Sequence, residues 1–203
     1  MDGKRVIGVD LGGTKILAGV VDRDGQVDQR REHPTPVTSQ DDLLAGLDAA
    51  VEELRDDDVV ALGFGIPSPI DQRTGRAQQA VNIPLDESID FRGRMAERFG
   101  LPVGIENDAN AAAYAEFHFG AAREARTMVM LTLGSGCGGG VVIDGELYRG
   151  WAEFGHMVIE YDGLPCQGTC TGRGHLEPYV TGFAATKLAQ AAFGPAVDAH
   201  RLV

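Results

Sequence analysis

At 203 residues and 43% hydrophobic content, the chain has room for one large domain or two small ones, with apolar side chains enough for a core. Its 18 basic against 30 acidic residues give a formal charge of -12, which argues against nucleic acid as a partner because a phosphate backbone needs a basic face. Apolar runs are only strand-length, and Met1-Asp2-Gly3-Lys4-Arg5 leads straight into a strand, so neither a membrane span nor a signal peptide is expected and the address reads as cytoplasmic. Three cysteines, all late in the chain, argue against a disulfide framework.

In chain order, Arg5 to Asp10 reads as a strand, Leu11-Gly12-Gly13-Thr14-Lys15 as a glycine turn, and Ile16 to Val21 as a second strand. Adjacent glycines let backbone N–H groups converge on an anion, Thr14 adds a hydroxyl, and Asp10 at the strand end suits a hydrated magnesium ion. The spacing is not that of a Walker loop, and a plain hairpin turn is the alternative. Asp22-Arg23-Asp24-Gly25 turns the chain into a third strand, Val27 to Glu32. Ser39-Gln40-Asp41-Asp42 resembles a capping box, and Leu43, Leu47, Val51 and Leu54 carry a helix through Arg55. Val59 to Gly65 is the next strand, and Ile66-Pro67-Ser68-Pro69-Ile70-Asp71 a rigid segment suited to a pocket wall. Thr74-Gly75 marks a turn, and Phe91, Met95 and Phe99 a short helix ending before Gly100.

Leu101 to Ile105 suits a buried parallel strand, and Asn110 to Phe119 an alanine-rich helix, so Glu106-Asn107-Asp108 lies at a strand-to-helix junction. In open α/β sheets ligands bind beyond the carboxyl ends of the strands, where a carboxylate such as Asp108 can accept a proton from a bound hydroxyl. The alternative is that Asp108 serves as a helix N-cap. From Arg126 the pattern restarts: Thr127 to Leu133 as a strand, Gly134-Ser135-Gly136-Cys137-Gly138-Gly139-Gly140 as a glycine loop, Val141 to Ile143 as a strand and Asp144-Gly145 as a turn. Two strand–glycine turn–strand units in one chain suggest a duplicated lobe, each contributing one turn to the same polyphosphate. The expected sheet pairing is mixed, antiparallel in the early hairpins and parallel in the later crossovers.

Four stretches resemble the ROK family of repressors, open reading frames and kinases: Asp10-Leu-Gly-Gly-Thr-Lys15, Glu106-Asn-Asp-Ala-Asn-Ala-Ala-Ala113, Leu131-Thr-Leu-Gly-Ser-Gly136 and Glu153-Phe-Gly-His156. The resemblance covers nearly the whole chain. It implies the actin-like ATPase (ribonuclease H-like) α/β fold, two similar lobes around a cleft, here residues 1–107 and a partial second lobe 108–203 carrying a zinc loop 156–177. It implies an ATP- and magnesium-dependent hexose kinase, most similar to the glucokinases, forming a homodimer when full-length.

Position by position, the resemblance makes Asp108 the general base toward the sugar 6-hydroxyl and Asn107 a partner of a neighbouring hydroxyl. It gives Glu153, His156 and Glu177 to the sugar's other hydroxyls. Asp10, Gly12, Gly13, Thr14, Lys15, Thr132, Gly134, Ser135 and Gly136 would line the phosphate path, with Asp10 also on magnesium. Many family members hold a structural zinc through one His and three Cys. This chain departs from that pattern, offering His156, Cys166, Cys170 and His175, still four donors for a closed tetrahedral site. Ser68 stands where the family often has Gly. Nothing in the sequence separates glucose from mannose, N-acetylmannosamine or fructose, or ATP from polyphosphate. A repressor would carry an N-terminal helix-turn-helix, and a non-catalytic sugar-binding protein remains a second alternative. Family members continue for roughly a hundred further residues on length priors, so a fragment with weak or no kinase activity is the expectation.

Overall fold

The structure, a computed structural model, describes residues 3–78, 80, 82–150, 152–168 and 170–197. The chain forms two compact units, Met1–Arg123 and Glu124–Val203. The division falls later than the expected 107/108 boundary, because the helix carrying Asp108 packs on the strands that precede it.

The first unit contains β1 (Arg5–Leu11), β2 (Lys15–Val21), β3 (Val27–Pro34), α1 (Gln40–Glu52), β4 (Val59–Ile66), β5 (Ile70–Asp71), β6 (Arg76–Ala77), α2 (Phe91–Phe99), β7 (Val103–Asn107) and α3 (Asp108–His118). Five strands form one sheet in the order β3-β2-β1-β4-β7, antiparallel through β3, β2 and β1 and parallel from β1 through β4 to β7. The mixed pairing matches the expectation. Alternation on β1 buries Ile7, Val9 and Leu11, and on β4 Leu62, Phe64 and Ile66, so each strand turns a full row inward. Leu43, Leu47 and Val51 of α1 and Phe91, Met95 and Phe99 of α2 close the same core. Each such side chain contributes about 1.5–3 kcal/mol by burial.

The helix ends follow local chemistry. Ser39 caps α1, its hydroxyl accepting the Asp42 N–H at 3.1 Å. Glycine at position 100 ends α2 in the left-handed region, at φ 66°, where it costs least. The helix α1 stops at Glu52 rather than Arg55, and β7 runs two residues beyond the expected Ile105, to Asn107.

The second unit contains β8 (Met128–Leu133), β9 (Cys137–Ile143), β10 (Glu146–Leu147), a 3-10 turn Phe154–His156, the short helix α4 (Glu177–Val180) and α5 (Gly182–Phe193). The three strands form an antiparallel meander in the order β10-β9-β8. Cys137 to Gly140 belong to β9 and not to a loop, which shortens the expected glycine loop to residues 134–136. The reason is a close approach: a side chain at Gly139 would run into the Met130 carbonyl and the Phe154 ring. Among the described residues no helix is long and apolar enough to cross a membrane.

Candidate active site and metal centre

Parallel register sets the first unit's site. Asp10 lies beside Gly65 on β4, and Gly65 beside Glu106 on β7, so the carboxyl ends of three strands open along one edge. The turn after β1 is closed by the Gly12 N–H to Lys15 C=O bond at 2.9 Å and tied to the end of β3 by two more. The Thr35 hydroxyl donates to Gly12 C=O at 2.7 Å, and the Thr35 N–H to Thr14 C=O at 3.0 Å. A Cβ on Gly12 would sit 3.0 Å from the Lys15 carbonyl, so this turn wants glycine there. Thr14 and Lys15 are exposed, and the Lys15 ammonium pairs with Glu32 at 3.6 Å. Partial burial raises the pKa of Asp10, with the Lys15 charge pulling it back.

Asp108 is the first residue of α3, and the cap is Asn107, whose Oδ1 accepts the Asn110 N–H at 3.0 Å. The capping role foreseen as the alternative for Asp108 thus belongs to its neighbour. Asn107 Nδ2 donates to Asp108 Oδ1 at 3.0 Å, and that same oxygen accepts the Ala109 N–H at 2.8 Å. One carboxylate oxygen is therefore held by two donors. Burial is the largest influence on Asp108 and raises its pKa; the Ala109 N–H lowers it, and the charge of Asp10 raises it again. Burial first, and the Asp10 charge after it, thus bias Asp108 toward holding a proton.

Gly65 and Gln72 support the site with no motif to mark them, and Ser68, in the segment expected to wall a pocket, joins them. Gly65 leaves the space in front of α3 open: a Cβ there would meet Asp108 Cα at 3.4 Å and Cβ at 3.8 Å. Gln72 donates to Glu106 at 3.2 Å and to Ile105 C=O at 2.9 Å, and Glu106 Oε1 in turn accepts the Asn107 N–H at 3.1 Å. The Ser68 hydroxyl is buried and bonded to the Gln78 carbonyl. Its side chain is thereby tied to the chain just after β6, while its C=O lies 3.5 Å from Asn107 Nδ2.

The second unit carries the other glycine turn. The Gly134 N–H donates to Gly136 C=O at 3.0 Å, Thr132 pairs with Gly138 across β8 and β9, and Ser135 is exposed. Glu177 reaches this turn: its Oε2 accepts the Cys137 N–H at 2.9 Å. Cys137 itself is buried, and burial together with the Glu177 charge pushes its thiol pKa up, as befits a packed residue and not a nucleophile. Glu153 precedes the 3-10 turn and is exposed.

His156, Cys166, Cys170 and His175 bring four donor atoms within 4.8 Å of one another. For zinc, bond lengths of about 2.0–2.1 Å to nitrogen and about 2.3 Å to sulfur at tetrahedral angles give edges of about 3.3 Å between nitrogens and about 3.6 Å between nitrogen and sulfur. The distances here are 3.3 Å for His156 Nδ1 to His175 Nδ1, 3.9 Å for Cys166 Sγ to His156 Nδ1 and 3.7 Å for Cys170 Sγ to His175 Nδ1. Three of the six edges thus lie within a few tenths of an ångström of a tetrahedral cation's, by that same construction. An antiparallel bridge between Val158 and His175 and the Leu176 N–H to Met157 C=O bond at 2.8 Å lay the two histidine segments side by side. Burial and the neighbouring Cys170 sulfur raise the Cys166 thiol pKa, a crowding that a bound cation relieves.

The description "ROK family" matches residues 6–200. A glucokinase of Streptomyces coelicolor is 40% identical over 194 residues, which are 91% of this chain and 58% of that protein. The chain thus spans little more than half of that relative's length. A ROK family glucokinase from Streptomyces griseus, solved in complex with glucose and AMPPNP, superposes with a TM-score of 0.79 at 38% identity, covering 93% of this chain and 62% of that one. Other similar proteins are an N-acetylmannosamine kinase of Vibrio vulnificus, at 32% identity over 96% of this chain and 67% of its own, and a xylose repressor of Bacillus subtilis, at 33% over 91% and 50%. The fold is the actin-like ATPase fold of the ROK sugar kinases. With a family match over nearly its whole length and a relative 40% identical over 91% of it, the chain belongs to the ROK family.

Proposed function

We propose that the chain carries the central elements of a hexose kinase that transfers the γ-phosphoryl group of ATP to the 6-hydroxyl of a hexose, glucose foremost. The observation that carries this reading is the Asp108 carboxylate, oriented by Asn107 and Ala109 at the strand edge it shares with Asp10. Its ionised form takes the proton from the 6-hydroxyl as that oxygen attacks the γ-phosphorus and ADP departs. Phosphoryl transfer asks little covalent chemistry of a protein, so one base plus positioned donors suffices. Gly12, Gly13, Thr14 and Lys15 in one unit and Thr132, Gly134, Ser135 and Gly136 in the other serve the phosphates. Asn107, Glu153, His156 and Glu177 serve the remaining sugar hydroxyls, since a sugar presents mostly directional O–H groups. Asp10, a carboxylate at the strand edge, is the residue to hold magnesium, which neutralises phosphate charge. The His156, Cys166, Cys170 and His175 set would hold zinc with no open position, a structural role.

The reaction belongs in the cytoplasm, and a homodimer is the assembly to check by light scattering. The test is product formation from glucose, mannose, N-acetylmannosamine and fructose with ATP or polyphosphate, read by phosphorus NMR, beside calorimetric binding of each sugar. A glucose 6-phosphate signal with ATP supports the proposal. The likeness to a xylose repressor favours one other reading, a sugar-binding regulator. Sugar binding with no phosphoryl transfer, unaltered by Asp108→Asn, would establish that reading instead.

A further inference from the structure

We propose that Glu177 is a positioning residue of the second glycine turn, through which the metal loop sets the geometry of residues 134–137. This rests on the reading of that turn as phosphate-binding. Two clamps hold the turn from the same short segment of chain. Glu177 Oε2 accepts the Cys137 N–H at 2.9 Å, and the Gly182 N–H donates to Gly134 C=O at 3.0 Å. The first is charge-assisted, hence the stronger kind. Gly136 supplies the room for it, since a Cβ there would lie 3.0 Å from the same carboxylate oxygen.

Glu177 is also tied to the metal loop. It follows His175 by two residues and opens α4, and the Val158–His175 bridge with the Leu176 N–H to Met157 C=O bond brings α4 against the 3-10 turn that ends in His156. On the other flank, a side chain at Gly155, within the 3-10 turn ending in His156, would collide with the Cys137 carbonyl and lie 3.3 Å from its Cβ. Cys137 is thus gripped at its N–H by one metal-ligand segment and packed at its carbonyl by the other. A carboxylate has about four acceptor sites, so one oxygen on Cys137 leaves the other to take a substrate hydroxyl. Glu177 then joins the sugar side of the site to the phosphate side through a single side chain.

The test is amide exchange at Cys137, followed by NMR, with AMPPNP affinity measured beside it in the wild type, Glu177→Gln and Glu177→Ala. A charge-assisted hydrogen bond corresponds to roughly ten- to hundredfold in an opening equilibrium. Glu177→Ala should therefore speed Cys137 exchange by roughly tenfold or more, leave the Val141 and Val142 amides of β9 protected, and weaken AMPPNP by roughly tenfold. Glu177→Gln keeps an acceptor but loses the charge, so on both readouts it should fall between wild type and Glu177→Ala, a loss of roughly three- to tenfold. Chelating the metal should speed Cys137 exchange in the wild type and add nothing in Glu177→Ala. Unchanged Cys137 exchange in Glu177→Ala, or equal loss in the Gln and Ala variants, overturns the proposal. If the wild type fails to bind AMPPNP while the exchange pattern holds, the phosphate reading of the turn falls and the positioning role stands.

Discussion

Asn107 gives its side-chain N–H to Asp108 Oδ1 at 3.0 Å and, through its own Oδ1, accepts the N–H of Asn110 at 3.0 Å. One amide therefore starts the helix and aims the carboxylate at its first position. Two substitutions separate these functions. Asn107→Ala removes both and should cost about 1 kcal/mol of stability from the lost cap, along with turnover. Asn107→Ser retains a capping hydroxyl, so its melting temperature should stay near wild type while kcat still falls. A kcat equal to wild type in Asn107→Ser would show that the amide does not orient the base.

Asp108→Asn should lower turnover by roughly 10² to 10⁴ with little change in sugar affinity, because an amide keeps the hydrogen bonds and cannot take the proton. The raised pKa sets the pH dependence. The base works only when ionised, so kcat/KM should fall as pH drops through a value above that of an ordinary aspartate, and Asp10→Asn should move this limb to lower pH. The stability sign is opposite. A carboxyl whose folded pKa is raised costs stability once ionised, so Asp108→Asn should melt higher at neutral pH, and the gain should close as pH falls through the folded pKa toward the unfolded one. Calorimetric scans across pH check this; a lower melting point for Asp108→Asn at pH 7 would contradict it.

Gly65 is the spacer between β4 and the first turn of α3. In Gly65→Ala the new methyl carbon lies 3.4 Å from Asp108 Cα and 3.8 Å from its Cβ, ordinary contact distances that use up the clearance without displacing the helix start. We expect near-normal stability and a near-normal kcat for Gly65→Ala, whereas Gly65→Val, with further carbons beyond that contact, should lower kcat by roughly tenfold by misplacing the base. Equal kcat values for Gly65→Val and wild type would mean that Asp108 tolerates displacement.

The metal loop offers a test with an analytical readout. Cys170→Ser should lower zinc below equimolar, and replacing Cys166 as well should abolish it. Gly174→Ala should have a similar effect from a distance. Its φ of +68° is left-handed, and its Cβ would drive into the Glu160 carbonyl, so the strand-like pairing that delivers His175 would open. Near-equimolar zinc in the double cysteine variant would reject the ligand set. Amide exchange in β1 and β4 should be unchanged by either substitution, as those strands belong to the first unit.

What the sequence determined by itself is local. Short apolar runs bounded by turn residues marked β1, β4 and β8, Ser39 and Gly100 marked helix ends, and closely spaced glycines marked the two hairpin turns, because these depend on residues a few positions apart. Short motifs likewise pointed to the chemistry, and the two histidines and two cysteines named as zinc ligands are the four that the fold gathers. Tertiary structure decided the rest. Asp10 comes to influence Asp108 only because β1, β4 and β7 pair in parallel, and the clearance between them depends on Gly65, which no motif reading had singled out. Gly138 to Gly140 read as loop from composition but lie in a strand, where packing of Gly139 against Met130 and Phe154 favours a missing side chain. The Glu177 carboxylate meets the Cys137 N–H 40 positions away in the chain, a contact that no local pattern specifies. Periodicity cannot encode such pairings, since they arise from which backbones approach once the strands have paired and the loops have closed.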